Sequence, residues 1–227
     1  VTDPHVAIIG GTGDLGFGLA LRLASTGKPV VIGSRRPGAA EEAAQRILEQ
    51  LPDANVSGSL NPEAASSASI VVLCVPFRGQ AENLRSLKEA LRPGQILVDT
   101  TVPLAAAVGG KPTRLLSLPQ GSAAQQAQEL VGSEINVVSA LHTVSADSLS
   151  DLDHGLDEDV LVASDDRTAK RTVADLLQTI EGLRPIDCGK LEQASLLEAL
   201  TPLLISVNIR YKTHAGIKLT GLPNKSW

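Results

Sequence analysis

Three glycines and two arginines near the start of the chain announce its chemistry. The run Val6-Ala7-Ile8-Ile9-Gly10-Gly11-Thr12-Gly13-Asp14-Leu15-Gly16 carries an apolar strand into a Gly11-x-Gly13-x-x-Gly16 turn, and Leu15, Leu19, Leu21, Leu23 and Ala24 supply the apolar positions of a following helix. That order of elements delivers a pyrophosphate to a helix N-terminus, where free amides and the helix dipole favour an anion. Gly11 is expected to permit the tight turn, Gly13 to let the backbone approach the pyrophosphate, and Gly16 to let helix and strand pack closely. About twenty residues further on, an NAD enzyme places an acid on both ribose hydroxyls. Here the second strand, Pro29-Val30-Val31-Ile32-Gly33, ends instead in Ser34-Arg35-Arg36. A carboxylate would repel a 2′-phosphate, whereas the Ser34 hydroxyl and the guanidinium of Arg35 or Arg36 can donate charge-assisted hydrogen bonds to it. The expected ligand is NADP(H). Two arginines opening a solvated loop would explain the charge but not the missing acid.

Ligands of open α/β sheets bind beyond the carboxyl ends of the strands, near the switch in strand order. Three further strand ends therefore matter: Cys74-Val75-Pro76-Phe77, Thr100-Thr101-Val102-Pro103 and Ser139-Ala140-Leu141-His142-Thr143-Val144. In the first two, a valine before proline is held extended. These tips, Val75-Pro76 and Val102, are expected to flank the nicotinamide ribose and ring, the alternative being ordinary strand-terminating prolines. His142 is the histidine best placed to act, although a half-buried histidine is more often a satisfied core residue. His5 precedes the first strand, His154 sits in an acidic loop and His214 lies in the tail. No His, Cys or carboxylate cluster has metal-ligand spacing, so no metal is expected, and no Ser-His-Asp arrangement stands out.

The elements that would position these residues alternate. Strand candidates recur at Val6–Ile9, Val30–Ile32, Ile70–Val75, Ile96–Asp99, Asn136–Ser139, Val160–Ala163 and Leu183–Asp187, with helical patterns at 39–51, 80–91 and 123–130 and a short helix opening at Pro62. Nearly continuous apolar strands alternating with helices mean a doubly wound, mostly parallel sheet of Rossmann type. Gly109-Gly110-Lys111-Pro112 and Pro119-Gln120-Gly121-Ser122 bracket an irregular insert. Beyond Asp187-Cys188-Gly189 a long Leu/Ile-rich helical stretch runs from Leu191 to about Thr213, and Pro202 should kink or restart it. The expected division is an NADP-binding domain over 1–188 and a small helical unit over 189–227.

Composition narrows the classes. A net charge of −5 and four aromatic residues in 227 argue against a nucleic-acid surface, which wants a basic face and stacking platforms. Apolar runs such as Ile70-Val71-Val72-Leu73-Cys74-Val75 fall far short of the ~20 residues that span a bilayer. No signal-peptide pattern precedes the first strand, and Cys74 and Cys188 read as small core residues. The expected compartment is the cytoplasm and the expected partners are small molecules, without nucleic acid or membrane.

Ile9-Gly10-Gly11-Thr12-Gly13-Asp14-Leu15-Gly16 with Gly33-Ser34-Arg35-Arg36, followed by Val138-Ser139-Ala140-Leu141-His142-Thr143, Gly182-Leu183-Arg184-Pro185 and Leu200-Thr201-Pro202-Leu203, resembles the NADPH-dependent coenzyme F420 reductase family. The resemblance covers nearly the whole chain. It implies hydride transfer between NADP(H) and an 8-hydroxy-5-deazaflavin, in a homodimer whose C-terminal unit helps form the deazaflavin pocket. It also implies that Thr12 to Leu15, Ser34, Arg35, Val75, Val102 and Ala146 contact NADP, and that His142 and Val144 lie beside the stacked rings. The chain departs from the family pattern at Asp14, where asparagine is usual, at Pro37-Gly38-Ala39, which lacks a basic residue, and in the longer Gly109–Gly121 insert. Such a hydride passes directly between two carbons brought to roughly 3–3.5 Å, so positioning carries the rate and no acid or base is required. His142 would orient the rings or hydrogen-bond the deazaflavin, and Val144 would press the rings together.

Two other readings stay open on the residues alone. One is an NADP-dependent reductase of a small carbonyl or imine, or of a flavin. Lys190, Lys212 and Lys218 near the chain's end stand in no catalytic pairing for that chemistry. The other is a non-catalytic NADP(H)-binding sensor.

Overall fold

A computed structural model describes residues 5–223; the outermost residues of the two expected domains, 1–4 and 224–227, lie outside it. The order is β1 (Val6–Ile9), α1 (Asp14–Ser25), β2 (Val30–Ser34), α2 (Pro37–Gln50), β3 (Val56–Leu60), α3 (Asn61–Ser67), β4 (Ile70–Leu73), α4 (Phe77–Leu87), β5 (Ile96–Asp99), α5 (Ala123–Val131), β6 (Asn136–Ser139), α6 (Ala146–Ser150), β7 (Glu158–Val162), α7 (Arg167–Leu177), β8 (Leu183–Asp187) and α8 (Ala194–Tyr211). Six strands form one sheet in the order β3-β2-β1-β4-β5-β6, and every neighbouring pair is parallel. The expected Rossmann-type sheet is therefore present.

Period-two alternation explains why its strands read as continuous apolar runs. On β1, Val6 and Ile8 face a core shared with α1, α2 and α7, while Ala7 and Ile9 face a second core shared with α3, α4 and α5. With both faces covered, β1, β2, β4 and β5 carry no polar side chain until their carboxyl ends. At the carboxyl ends of β2, β5 and β6, Ser34, Asp99 and Ser139 appear, and the site begins.

Three features differ from the expectation. β3, Val-Ser-Gly-Ser-Leu, is an edge strand paired only with β2, so half of it can be polar and its apolar signal is weak. β7 and β8 pair with each other in a separate two-stranded parallel sheet, tied to the main one by an antiparallel bridge between Ser139 and Ala163. Of the two outcomes expected at Pro202, a kink or a restart, the restart does not occur: α8 runs through it unbroken.

One buried arginine organises the segment between α6 and β7. Arg22, on α1, donates to the carbonyls of Ser148, Leu149, Asp151 and His154. Four accepting carbonyls satisfy a guanidinium that burial would otherwise penalise, and they close the loop without regular structure.

Candidate functional site

The strand order reverses between β1 and β4, and the glycine turn sits above that point. Gly10 takes the left-handed conformation at φ 77°, and the carbonyl of Cys74 occupies the space that a Cβ there would need. Gly11 also serves the tight turn as expected, since a Cβ there would fall 2.9 Å from both Ile8 O and Ile32 Cγ2, but the left-handed conformation is taken by Gly10. Gly16 lets helix and strand pack closely, as expected. A Cβ there would meet Gly10 O at 2.7 Å and Gly11 Cα at 2.8 Å, so α1 rests directly on the turn. Above Gly13 the space is open, with nothing nearer than Gly10 O at 3.5 Å. That opening suits close approach of a phosphate to the backbone at the N-terminus of α1.

Two adjoining cavities open beyond the strand ends. The first, about 680 Å³, is lined by Thr12 and Gly13 of the turn, by Ser34, Arg35 and Arg36 after β2, and by Asn61, Cys74, Val75, Pro76 and the first turns of α4. The second, about 890 Å³, is bounded by Gly13, Asp14 and Leu15, by Val75 and Pro76, by Thr100, Thr101 and Val102, and by His142, Val144, Ala146, Thr201 and Ile205. Gly13, Cys74, Val75, Pro76 and Arg78 border both. Gly11 and Ala140 lie beneath the surface; Ala140 is fully buried, with its amide on Asp99 O. Residues distant in sequence complete the walls, Asn61 and Arg78 in the first and Leu104, Ala106, Ala107, Thr201 and Ile205 in the second. Of these only Thr201 lay in a motif singled out in the sequence, Leu200-Thr201-Pro202-Leu203.

At its β2 end the first cavity gathers a hydroxyl and two guanidiniums. Ser34 Oγ accepts the Arg36 amide at 3.2 Å, which fixes the hydroxyl at the strand tip. Among the described residues the guanidiniums of Arg35 and Arg36 have no hydrogen-bonding or ion-pair partner, and both side chains are exposed.

A buried polar network holds the Thr100–Val102 tip. Gln80 Nε2 donates among Asp99 Oδ2 (2.6 Å), Thr101 Oγ1 (2.8 Å) and Ala123 O (2.9 Å), while its Oε1 accepts from Gln126. Burial pushes the Asp99 carboxyl up to about 6, against the donors from Thr101 and Gln80. Glu198, buried on α8, accepts the amides of Ala123 and Ala124 at the start of α5, and burial raises it to about 8. Through these bonds α4, α5 and α8 are fixed relative to the β5 tip. The Cys74 thiol, pushed up to about 12 by burial, stays protonated and unreactive.

His142 is held in a way a core histidine is not. It is buried, yet its Nε2 has no hydrogen-bond partner. Desolvation lowers it to about 4, so the ring is neutral at physiological pH. Its neighbour Leu141 sits at φ 70°, a conformation that costs a non-glycine residue about 1–3 kcal/mol and persists only where the surroundings enforce it. The enforcing contacts are the Ala140 amide on Asp99 O, the Val144 amide on Leu141 O, and the Thr201 hydroxyl, which donates to His142 O at 2.8 Å. The His142 ring lines the largely apolar second cavity, while its unpartnered Nε2 lies beneath that surface, an unsatisfied buried polar atom of the kind that marks a functional position.

No described helix is long and apolar enough to cross a membrane, and the described residues contain no group of three or more His, Cys, Asp or Glu able to hold a metal.

Comparison with known proteins agrees with this geometry. Residues 5–103 match the family model described as NADP oxidoreductase, coenzyme F420-dependent. The F420-dependent NADP reductase of Methanocaldococcus jannaschii is 47% identical over 222 residues, 96% of this chain and 98% of that one. The enzyme of the same name from Methanothermobacter thermautotrophicus is 43% identical over 224 residues, covering 97% and 96%. A crystal structure from Arthrobacter sp. FB24, provisionally assigned as an F420-dependent NADP reductase, superposes with a TM-score of 0.80 at 30% identity, covering 95% of this chain and 98% of that one. Relatives this similar over nearly their whole length show the family, and the chain belongs to the F420-dependent NADP reductase family.

Proposed function

We propose that the chain is an oxidoreductase that transfers a hydride reversibly between NADP(H) and the deazaflavin coenzyme F420, the dinucleotide lying across the switch point and the deazaflavin in the second cavity. The observation that carries this reading is the shared Cys74-Val75-Pro76 wall, which joins a basic-mouthed cleft to a larger apolar one. When bound, the nicotinamide and deazaflavin supply the donor and acceptor carbons, and a proton from solvent completes reduction of the deazaflavin. The chain's own part is to seat both rings in contact and keep water out.

The proposed dinucleotide contacts are Gly11 to Leu15, Ser34, Arg35, Arg36, Val75, Pro76, Val102, Ala140 and Ala146, with Gly11 and Ala140 acting as backbone supports beneath the surface. His142 and Val144 are the proposed ring-positioning pair. His142, neutral and with a buried, unpartnered Nε2, would hydrogen-bond a ring substituent through a turn of the ring that brings this nitrogen to the cavity; Val144 offers an apolar face beside it. The test is anaerobic absorbance with NADPH and F420 beside matched NADH and FMN reactions. Bleaching confined to NADPH with F420 supports the reading, and NADPH binding without bleaching of any acceptor overturns it. In the same assay His142→Ala is expected to lower kcat by about tenfold, the worth of one hydrogen bond in a dry site, with the NADPH Kd unchanged. Unchanged kcat and KM would remove the positioning role.

A homodimer and a cytoplasmic location belong to the same proposal. Leu196, Leu203 and Ile209 of α8 are 64%, 57% and 67% exposed, an apolar series that pairing with a second copy would cover. The helix that carries Thr201 and Ile205 to the deazaflavin cavity would then also be the subunit contact, and we assign it with the tail to the small C-terminal unit. Sedimentation equilibrium should return the mass of two chains; the mass of one would overturn the dimer. Cys74 and Cys188 are free thiols, in keeping with a reducing compartment.

A further inference from the structure

We propose that Arg78 is a phosphate-binding residue serving the junction of the two cavities. It lies in the first turn of α4, immediately beyond the Val75-Pro76-Phe77 tip, and it borders both cavities. Among the described residues its exposed guanidinium has no hydrogen-bonding or ion-pair partner. Glu82, one helical turn on, also lines the first cavity, but the two side chains form no ion pair.

Position separates this arginine from an ordinary solvated one. The first cavity has Arg35 and Arg36 for a 2′-phosphate, and the N-terminus of α1 for the pyrophosphate. Among the described residues Arg78 is the sole lysine or arginine on the wall of the second cavity, and Asp14, a carboxylate, is the other wall residue charged at neutral pH. A polyanionic ligand that spans or enters that cavity meets a negative wall unless a cation compensates it. Arg78 stands at the one border where it can serve either a dinucleotide phosphate or the phosphodiester tail of a deazaflavin coenzyme. A guanidinium offers planar, paired donors that match phosphate oxygens.

The inference rests on the proposed assignment of the cavities, and its test keeps the two apart. NADPH fluorescence titrations of wild type, Arg78→Ala, Arg78→Gln and Arg78→Lys need no deazaflavin and no turnover. Steady-state assays then compare F420 with its deazaflavin core that carries the ribityl chain but no phosphate or glutamate. Removing the guanidinium is expected to weaken one ligand by about tenfold, the loss of a charge-assisted hydrogen bond, with kcat and the melting temperature unchanged. A higher NADPH Kd assigns the dinucleotide phosphate. A higher KM for F420, without change for the tail-less core, assigns the deazaflavin tail, and partial retention by Arg78→Lys in either case confirms that charge is the agent. Changes below about twofold in both ligands, or equal losses for F420 and the tail-less core, overturn the proposal. Failure of wild type to bleach F420 would sink the hydride-transfer reading but leave the NADPH titration a valid test of Arg78.

Discussion

Exchanging Ser34 for glutamate is expected to lower kcat/KM for NADPH by about 10²–10³-fold while NADH changes little or improves. Two unit charges 4 Å apart at a protein surface interact by about 4 kcal/mol at an effective dielectric near 20, and each 1.4 kcal/mol is a factor of ten. A 2′-phosphate brought to the end of β2 would face that repulsion in place of a hydroxyl donor. The introduced carboxylate would also attract Arg35 and Arg36, whose guanidiniums have no partner among the described residues, and so withdraw them from the phosphate. Because Ser34 ends the strand with its Oγ on the Arg36 amide, the substitution acts where β2 is already giving way to loop. Assaying both nucleotides on one preparation checks the mechanism. Equal losses with NADPH and NADH would mean that the strand end had been deformed and the phosphate reading was wrong.

The second large effect belongs to Gly16→Val. A Cβ at this position falls 2.7 Å from Gly10 O and 2.8 Å from Gly11 Cα, and both obstacles are backbone. Neither can rotate aside, so α1 must lift from the turn. Overpacking of this kind costs about 1–3 kcal/mol or more. For a chain of this size a melting temperature lower by several degrees follows, at about 2–4 °C per kcal/mol. Lifting the helix also removes its N-terminus from the phosphate position, so the NADPH Kd should rise by at least about 10²-fold, the worth of two charge-assisted hydrogen bonds. Gly13→Ala is the matched control. Its Cβ has room, with Gly10 O at 3.5 Å, so it should keep the melting temperature and weaken binding by filling the space a phosphate occupies. A Gly16→Val protein that melts and binds as wild type does would show that the turn has another course.

How much of this was legible in the residues depends on where each signal comes from. β1, β4, β5 and β6 are buried on both faces, and double burial produces the uninterrupted apolar runs that mark a parallel sheet. β3 escaped because an edge strand is released from that requirement. The separate pairing of β7 with β8 is a matter of partner choice, which a strand's own residues do not encode. Pro202 looked like a breaker because it lacks an amide donor, yet a helix held along its length by Glu198, Thr201 and the packing of Leu197 tolerates the missing bond. At the site, the glycine pattern and Ser34-Arg35-Arg36 were readable because their chemistry is local. Which glycine would take the positive φ was not, since Cys74 O from the neighbouring strand sets that constraint. Arg78, Thr201 and Ile205 reach the cavities only through the strand order and the docking of the last helix, and Leu141's conformation depends on bonds from β5 and α8.

The two cavities are not encoded in the same span of chain. Every residue lining the first lies between Gly10 and Asn83, whereas the second draws on residues from Gly13 to Ile205. Synthesis from the N-terminus therefore finishes one receptor long before the other. A nascent chain released as far as β5 already holds the glycine turn, the basic tip and the strand switch that surround a dinucleotide. The second cavity, the proposed deazaflavin receptor, stays open on the α8 side until the final helix is made and the Thr201 hydroxyl reaches His142 O. The nucleotide can thus act as a folding ligand for the growing chain, stabilising by mass action the half that exists first, while chemistry waits on the last helix.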